Sequence, residues 1–592
     1  MNKIYILVLV ILPLLIHGQS SIKSTIINST TKQAISYCNV FNQRTQNGVI
    51  SNTDGEFLIE IISLDDIISI SFLGYETKNI QAKKILNLNS ISLKEKQYQL
   101  QEVEINSSND YLYDILINCR RALKKNKRNH VSKAFFILNS SSNHKPLELL
   151  ECYYNASQKS GKLEDLYLKN GRLALRPLDS HFFFNFSTTQ VFNKINLVQQ
   201  NDLLPAIILQ FRKGQMRKYF NVKLEYRDSE LFNISFIPKK NNDNLFSGEI
   251  WIDKKTYFIR KISLSIQKVR THPFEAFHLD SLAIVSLNVN YTFGRNDTLI
   301  QIDHIGFNMK MNYYTCRKYE DGQLPVLKRN IKINSILYFY DFDKPFLLPY
   351  FDYNNKFSDY RKLSTIPYNQ VFWQNRKLLL TKDQKKQVGI IGSDGVFINY
   401  DENNYGTGFL KKTMDQFNYK FNYRHDMWSW RYYYFWTKKE RIFLKKDIIE
   451  EGIGKPTYYR SITPSDMYSF GIQIFLDINH LDGAFDCKSL TIFDLSKTFY
   501  KLEINKYSNA FVNIYFDICE IERREMQKEF LVHNTSLNVI DSIYNKALIN
   551  IEAITSKYKK EVQRGNNVKM LKKWNDYVFD ELGIDNFEIF QL

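Results

Sequence analysis

The chain has 592 residues, of which 44% are apolar, 15% aromatic and 24% charged, and it carries a formal net charge of +18. That length exceeds a single hydrophobic core and that apolar share exceeds what a disordered chain carries, so several folded domains are expected. The positive charge would suit a polyanionic partner, but it is dispersed along the sequence instead of gathered in one block.

The N-terminus sets the expected compartment. Met1-Asn2-Lys3 gives a short positive start, Ile4 to Ile16 is an almost unbroken apolar run, and His17-Gly18-Gln19-Ser20 offers a small residue for cleavage. This pattern predicts a secretory signal peptide over residues 1–19, since the run is too short to span a bilayer comfortably. No Cys follows the cleavage region, which argues against a lipid anchor, and no later segment has the length and apolarity of a membrane helix. The expected location is the periplasm, the outer-membrane surface or the exterior. Six cysteines (Cys38, Cys119, Cys152, Cys316, Cys487, Cys519) are scattered without a C-x-x-C pair and are expected to be buried thiols, not metal ligands.

From Ser20 to about Ile105 short β-runs alternate with turns. Ile22 to Ile27, Ser36 to Phe41, Glu56 to Ile61 and Ile67 to Phe72 read as strands, and in Asn52-Thr53-Asp54-Gly55 the glycine can take positive φ. Strands at this spacing predict a small antiparallel sandwich. The blocks Gly48-Val49-Ile50-Ser51-Asn52-Thr53-Asp54-Gly55-Glu56-Phe57 and Ile68 to Thr77, followed by Leu100-Gln101-Glu102-Val103-Glu104-Ile105, resemble the carboxypeptidase regulatory-like (prealbumin-like) domain. Ser24 and Ala34 depart from the common Gly and Pro of that pattern. The resemblance implies an accessory sandwich without catalytic residues, suited to docking or to glycan or protein contact.

An amphipathic helix is expected at about Asp110 to Lys125, with Leu112, Ile115, Leu116, Cys119 and Leu123 inward and the basic run Arg120 to Arg128 solvated. Beyond it, to about residue 340, the chain turns strand-rich. Lys223 to Tyr226, Ile234 to Ile237, Ser247 to Ile252, Tyr257 to Ile266, Ala283 to Phe293 and Leu299 to Met309 alternate apolar and polar residues. The hairpin Phe246 to Ile259, turning at Asp253 to Thr256, looks like the repeated hairpins of periplasmic half-barrels that carry lipoproteins. His272, Glu275 and His278 form the one local His-carboxylate cluster; Pro273 favours a loop, where a hydrogen-bonded turn is the plainer reading than a metal site. Residues 341–430, dense in aromatics with Pro345, Pro349, Pro367 and Trp373, read as a packed connecting segment.

The last region, residues 431–592, poses the functional question. Trp436 to Asp447, Tyr459-Arg460-Ser461-Ile462-Thr463, the helix around Asn513 to Arg524, and Tyr558 to Gly565 with Trp574 beyond it occur in one order. Together they resemble a secreted zincin-like family of bacterial metallopeptidases. A zincin helix needs H-E-x-x-H, because residues at i and i+4 share a face, so two imidazoles grip one metal with a Glu as general base. Phe516, Asp517, Ile518 and Glu520 match the family, while Phe511 and Tyr515 stand for its two histidines and Val512 for its glutamate. Arg564 stands where another histidine would be. An ordinary amphipathic helix on a sheet would show many of the same residues.

The fold class expected is therefore multi-domain and β-rich: an N-terminal antiparallel sandwich (20–105), a helix and curved half-barrel-like antiparallel sheet (106–340), the connecting segment (341–430), and a C-terminal α+β zincin-like domain (431–592). The function expected is a non-catalytic exported envelope protein with a pseudo-protease domain, needing no cofactor or metal and binding a protein or glycan of the envelope, not nucleic acid. Two other readings stay open: a secreted hydrolase whose site is not recognisable from sequence, and an outer-membrane-associated component.

Overall fold

The computed structural model describes the chain apart from residues 1–19, 97–109, 180–181, 184–188, 228–229, 241–243, 273–279, 295–297, 316–317, 320–321, 324–326, 352, 354–361, 364–365, 367, 370–371, 374–378, 401–432, 440, 445–466, 482–483 and 534–535. It divides into two compact units, Met1–Glu102 with Asn375–Lys386, and Val103–Gln374 with Gln387–Leu592. The expected β-rich, multi-domain class holds, and the expected signal peptide lies outside the described residues.

The first unit is a two-sheet sandwich. Its strands are β1 (Ser20–Asn28), β2 (Asn39–Asn42), β3 (Asn47–Ile50), β4 (Glu56–Ile61), β5 (Ile67–Ser71), β6 (Lys78–Gln81) and β7 (Ile91–Leu93), with helix α1 (Ala82–Leu86) before the last. One sheet runs β4-β1-β7 and the other β3-β2-β5-β6. Period-two alternation sends Ile22, Ile26, Val40, Phe57, Ile59, Ile68 and Ile70 into a shared core. One pairing departs from the antiparallel rule: β1 pairs β4 antiparallel over its first half and β7 in parallel over Ile26 to Asn28. The predicted turn is present, with Gly55 at φ +74° and the Asn52 carboxamide oxygen accepting from the Asp54 and Glu56 amides. Asp66 acts as a turn former: it accepts from the Asn42 side chain and the Ile62 amide, each at 3.0 Å.

The second unit opens with α2 (Asp110–Lys125), whose limits are those the amphipathic pattern predicts. Then come β8 (Asn129–Ser142), β9 (Lys145–Lys159), β10 (Lys162–Leu175), the ribbon β11 (Pro177–Asp179) and β12 (Phe182–Phe183), and short helices α3 (Thr189–Lys194) and α4 (Lys213–Tyr219). The chain continues through β13 (Phe220–Arg227), β14 (Leu231–Pro238), β15 (Ser247–Asp253), β16 (Ile259–Ile266), β17 (Ser281–Phe293) and β18 (Ile302–Thr315). The ribbon β19 (Lys318–Tyr319) and β20 (Gly322–Gln323), then β21 (Leu327–Tyr340) and β22 (Val396–Ile398), complete the series. Eleven strands form one antiparallel sheet in the order β13-β14-β15-β16-β17-β18-β21-β8-β9-β10-β22.

One face of this sheet carries the helices. Leu112, Leu116, Cys119 and Leu123 of α2 join Phe220, Ile250, Ile262, Leu287, Phe307 and Ile333 in a single core, and the Tyr113 hydroxyl donates to the Phe220 carbonyl at 2.9 Å. Lys213 of α4 pairs with Asp114 of α2 at 2.5 Å. The other face changes character along the sheet. From β13 to β18 it alternates polar with buried residues, as a half-exposed sheet must, whereas β9 is buried from Pro146 through Ala156 without a break. The cover there is aromatic: Tyr153 meets Phe372, Trp373 and Phe346 edge-on at 5.1 to 6.1 Å between centroids. On that same sheet, Lys169 of β10 lies fully buried against Asp477 at 2.5 Å and donates to the Ile478 carbonyl.

The C-terminal part of the unit has β23 (Tyr433–Phe435), β25 (Ile472–Leu481) and β26 (Ala484–Asp494) as a three-stranded sheet in the order β23-β26-β25, beside the pair β24 (Tyr468–Ser469) and β27 (Phe499–Tyr500). Four helices follow: α5 (Ser508–His533), α6 (Leu537–Val562), α7 (Val568–Leu582) and α8 (Asn586–Ile589). Ser536 caps α6, accepting from the Val539 amide.

Candidate functional site

Helix α5 carries the residues on which the functional reading turns. From Ser508 to Ile521 it is buried almost all round, and only its second half, with Met526 and Phe530 inward, is one-faced. A helix buried on every side belongs to a core rather than lying on a sheet. Its polar residues therefore need internal partners, and they recur along one stripe: Asn509, Asn513, Asp517 and Glu520.

That stripe holds Trp436, Arg441, Ile442 and Leu444, and the edge of β26. Asn509 accepts from the Leu444 amide at 3.0 Å. Asn513 accepts from the Ile442 amide at 2.9 Å and donates back to the Ile442 carbonyl at 2.8 Å, as a neighbouring strand would. Asp517 is wholly buried; one carboxylate oxygen accepts from the Arg441 guanidinium and the Trp436 indole, each at 2.7 Å, and the other from the Asn586 carboxamide at 2.8 Å. Burial pushes the Asp517 carboxyl above its ordinary range, against the pull of Arg441, Asn586 and Trp436. Glu520 accepts from Thr491, from two nitrogens of Arg523 and from Arg524, at 2.7 to 2.9 Å. Burial raises its pKa as the largest single influence, but Arg523, Arg524 and Thr491 together hold it below the usual carboxylate range.

The opposite stripe of α5 carries Phe511 and Tyr515. The Phe511 ring stacks on Tyr558 of α6 with centroids 5.7 Å apart and planes 19° apart, and meets Tyr468 and Phe470 edge-on. Tyr558 also donates its hydroxyl to the Phe511 carbonyl at 2.8 Å. Tyr515 packs against Phe470 at 5.2 Å, and burial pushes its hydroxyl up to about 12, so it stays protonated at neutral pH. The turn after α6 approaches the same place. Gly565, at φ +89°, sits where an added Cβ would lie 3.4 Å from the Phe511 Cβ, and exposed Arg564 acts electrostatically on Tyr468.

The six positions singled out from sequence thus fall into separate groups. Phe511, Tyr515 and Arg564 converge on one neighbourhood, filled by aromatic rings. Val512 is buried in the surrounding apolar core. Asp517 and Glu520 lie on the other stripe, in a closed set of donors. The ionic partner of Asp517 is Arg441, and Arg524 makes an i,i+4 contact to Glu520. Sequence reasoning placed Trp436, Arg441, Asn513 and Tyr558 in the blocks that carry the resemblance but gave them no role in the site, and it missed Asn586. The signal for most of them was the polar stripe on an otherwise apolar helix. His272 lies in the loop after β16, and Glu275 and His278 lie outside the described residues. Among the described residues no group of three or more His, Cys, Asp or Glu side chains is placed to hold a metal ion, and no helix is long and apolar enough to cross a membrane.

Comparison with known proteins adds the following. Residues 22–105 match the CarboxypepD_reg-like domain, and residues 218–320, spanning β13 to β18, match a family of unknown function (DUF5686). No curated protein matches the chain. Among solved structures, the Pseudomonas aeruginosa MucA/MucB complex shares 9% identity over 38% of this chain and 92% of that one, with a TM-score of 0.15. A putative outer membrane lipoprotein-sorting protein domain from Vibrio parahaemolyticus shares 14% over 40% and 92%, with a TM-score of 0.17. A LolA superfamily protein from Nitrosomonas europaea shares 11% over 42% and 97%, with a TM-score of 0.15. Likeness at that level leaves the reading of the site to its own residues. The chain carries an N-terminal carboxypeptidase regulatory-like domain and, in its large antiparallel sheet, a segment matching DUF5686.

Proposed function

We propose that this is a non-catalytic protein of the cell envelope, exported by residues 1–19, which binds a protein or glycan partner and uses residues 431–592 as a pseudo-protease scaffold. The finer domain limits, 20–105, 106–340 and 341–430, belong to the same reading. The observation that carries it is the aromatic stack at Phe511, Tyr515 and Tyr558. In a zincin the two corresponding helix positions present imidazoles to a metal that keeps one coordination site open for water. Here they present packed rings, and the position of the general base is Val512, fully buried. The polar stripe on the far side of α5 supplies cohesion instead, through Arg441, Asp517 and Asn586.

The test is elemental analysis and a peptidase assay on the purified full chain. The expected result is zinc well below one equivalent and no hydrolysis of a peptide library above background. Stoichiometric zinc together with peptide cleavage overturns the proposal. Fractionation of the source cells checks the location: recovery in the cytosol with residues 1–19 intact contradicts export.

A further inference from the structure

The face of the large sheet that points away from the helices carries a patch that the fold does not require. Along β18 the sequence reads N-x-K-x-N at Asn308, Lys310 and Asn312, and β21 repeats it at Asn330, Lys332 and Asn334. The intervening Met309, Met311, Ile331 and Ile333 are buried in the core, so the polar residues share the opposite face. Register sets the two motifs against each other: Asn308 opposes Asn334, Lys310 opposes Lys332, and Asn312 opposes Asn330. The row extends on both sides, since Asn288 of β17 opposes Asn308 and Asn139 of β8 opposes Asn334. Four carboxamides therefore stand on four adjacent strands, spaced about 4.8 Å apart.

Two features of this patch work against stability. Like charges directly opposite on an antiparallel pair repel, and both Lys310 and Lys332 are exposed with no carboxylate in ion-pair reach among the described residues. Likewise, among the described residues the carboxamides of Asn139, Asn288, Asn308, Asn312, Asn330 and Asn334 make no side-chain hydrogen bond to Lys310, Lys332 or one another. An asparagine-rich chain scatters such residues; here the register aligns them around a cationic centre. Each carboxamide offers two donors and an acceptor, the complement of a hydroxyl, and the paired ammonium groups call for an anion.

We infer that this patch binds an acidic polysaccharide laid across the strands, with its anionic groups at Lys310 and Lys332 and its hydroxyls on the flanking asparagines. A nucleic acid fits less well, because Tyr314, which borders the patch beyond Asn312, is one ring where successive bases need a row of stacking partners. A membrane surface fits less well because Ile284, exposed in the β17 bulge at the edge of the patch, stands beside asparagines and lysines and not in an apolar cluster that could insert. The inference rests on the binding reading above and gives it a partner class. It lies on β18 and β21, away from α5, so a zinc or peptidase result and a glycan-binding result fail independently.

The experiment uses the full chain and polygalacturonate as the probe, with polyglutamate, single-stranded DNA and phosphatidylglycerol vesicles as comparisons, in a titration at two salt concentrations. The expected result is binding to polygalacturonate that weakens with salt, falls at least tenfold in K310Q/K332Q, and exceeds binding to the other three. N308A/N334A should lose the preference for polygalacturonate over polyglutamate while keeping the salt dependence. K332E should raise the melting temperature, by replacing a repulsive cross-strand pair with an attractive one, and abolish polygalacturonate binding. The inference is overturned if polygalacturonate does not bind, if K310Q/K332Q binds it as the parent does, or if DNA, vesicles or polyglutamate bind as tightly.

Discussion

Replacing Arg441 by Met tests whether a buried ion pair, and not a metal, holds the C-terminal region together. Arg441 and Asp517 are both almost fully buried, 2.7 Å apart, and the remaining partners of Asp517 are the neutral donors Trp436 and Asn586. Arg441→Met keeps the bulk of the side chain but leaves a buried carboxylate without its counter-charge, a change that costs about 3–5 kcal/mol. The unit containing the pair has roughly 480 residues, and at about 2.1 cal/mol/K per residue its unfolding entropy is on the order of 1 kcal/mol/K. The melting temperature should therefore fall by about 3–5 °C if the unit melts as one. Because packed apolar residues can replace an ion pair at little cost, Arg441→Met with Asp517→Leu should recover much of that loss. Differential scanning calorimetry with and without a chelator is the assay, and the chelator should change neither transition. A fall of less than ~1 °C for Arg441→Met would show that water or another group compensates Asp517, and the argument from burial would be wrong.

Other outcomes follow from the same geometry. Glu520 has a depressed pKa, so its contribution to stability is present above the unfolded carboxylate value and is lost as pH falls through the folded one; Glu520→Gln should flatten the acid limb of a stability–pH curve. Gly565→Ala combines a strained positive φ with a Cβ close to Phe511 and should cost about 1 kcal/mol or more, read as a lower denaturation midpoint. Tyr558→Phe removes the hydroxyl bond to the Phe511 carbonyl but keeps the ring stack, so a loss of about 0.5–1.5 kcal/mol is expected. Lys169→Met, which strands Asp477 between the large sheet and β25, should destabilise by about 3–5 kcal/mol; an unchanged midpoint would mean that Asp477 takes up a proton or a water instead.

Local sequence sufficed wherever the physics was local. The 3.6-residue stripe of Leu112, Ile115, Leu116, Cys119 and Leu123 fixed both ends of α2, and alternation with the Asp253 to Thr256 turn placed the β15–β16 hairpin. The N-terminal sandwich was legible for the same reason, since short strands and turns of known chemistry follow one another closely. The centre of the large sheet was not. β9, the middle of β8 and the second half of β10 are covered on both faces, so they lack the alternation that marks a strand, and β21 pairs with β8 across nearly two hundred residues. In α5 the helix itself and the Glu520–Arg524 contact could be read from spacing. Which cation neutralises Asp517, which ring lies on Phe511, and which lysine faces Lys310 depend on elements brought together only by folding. Side-chain periodicity carries information about a residue's own element; the partner across a core or a sheet is selected by long-range burial and register, which no local pattern encodes.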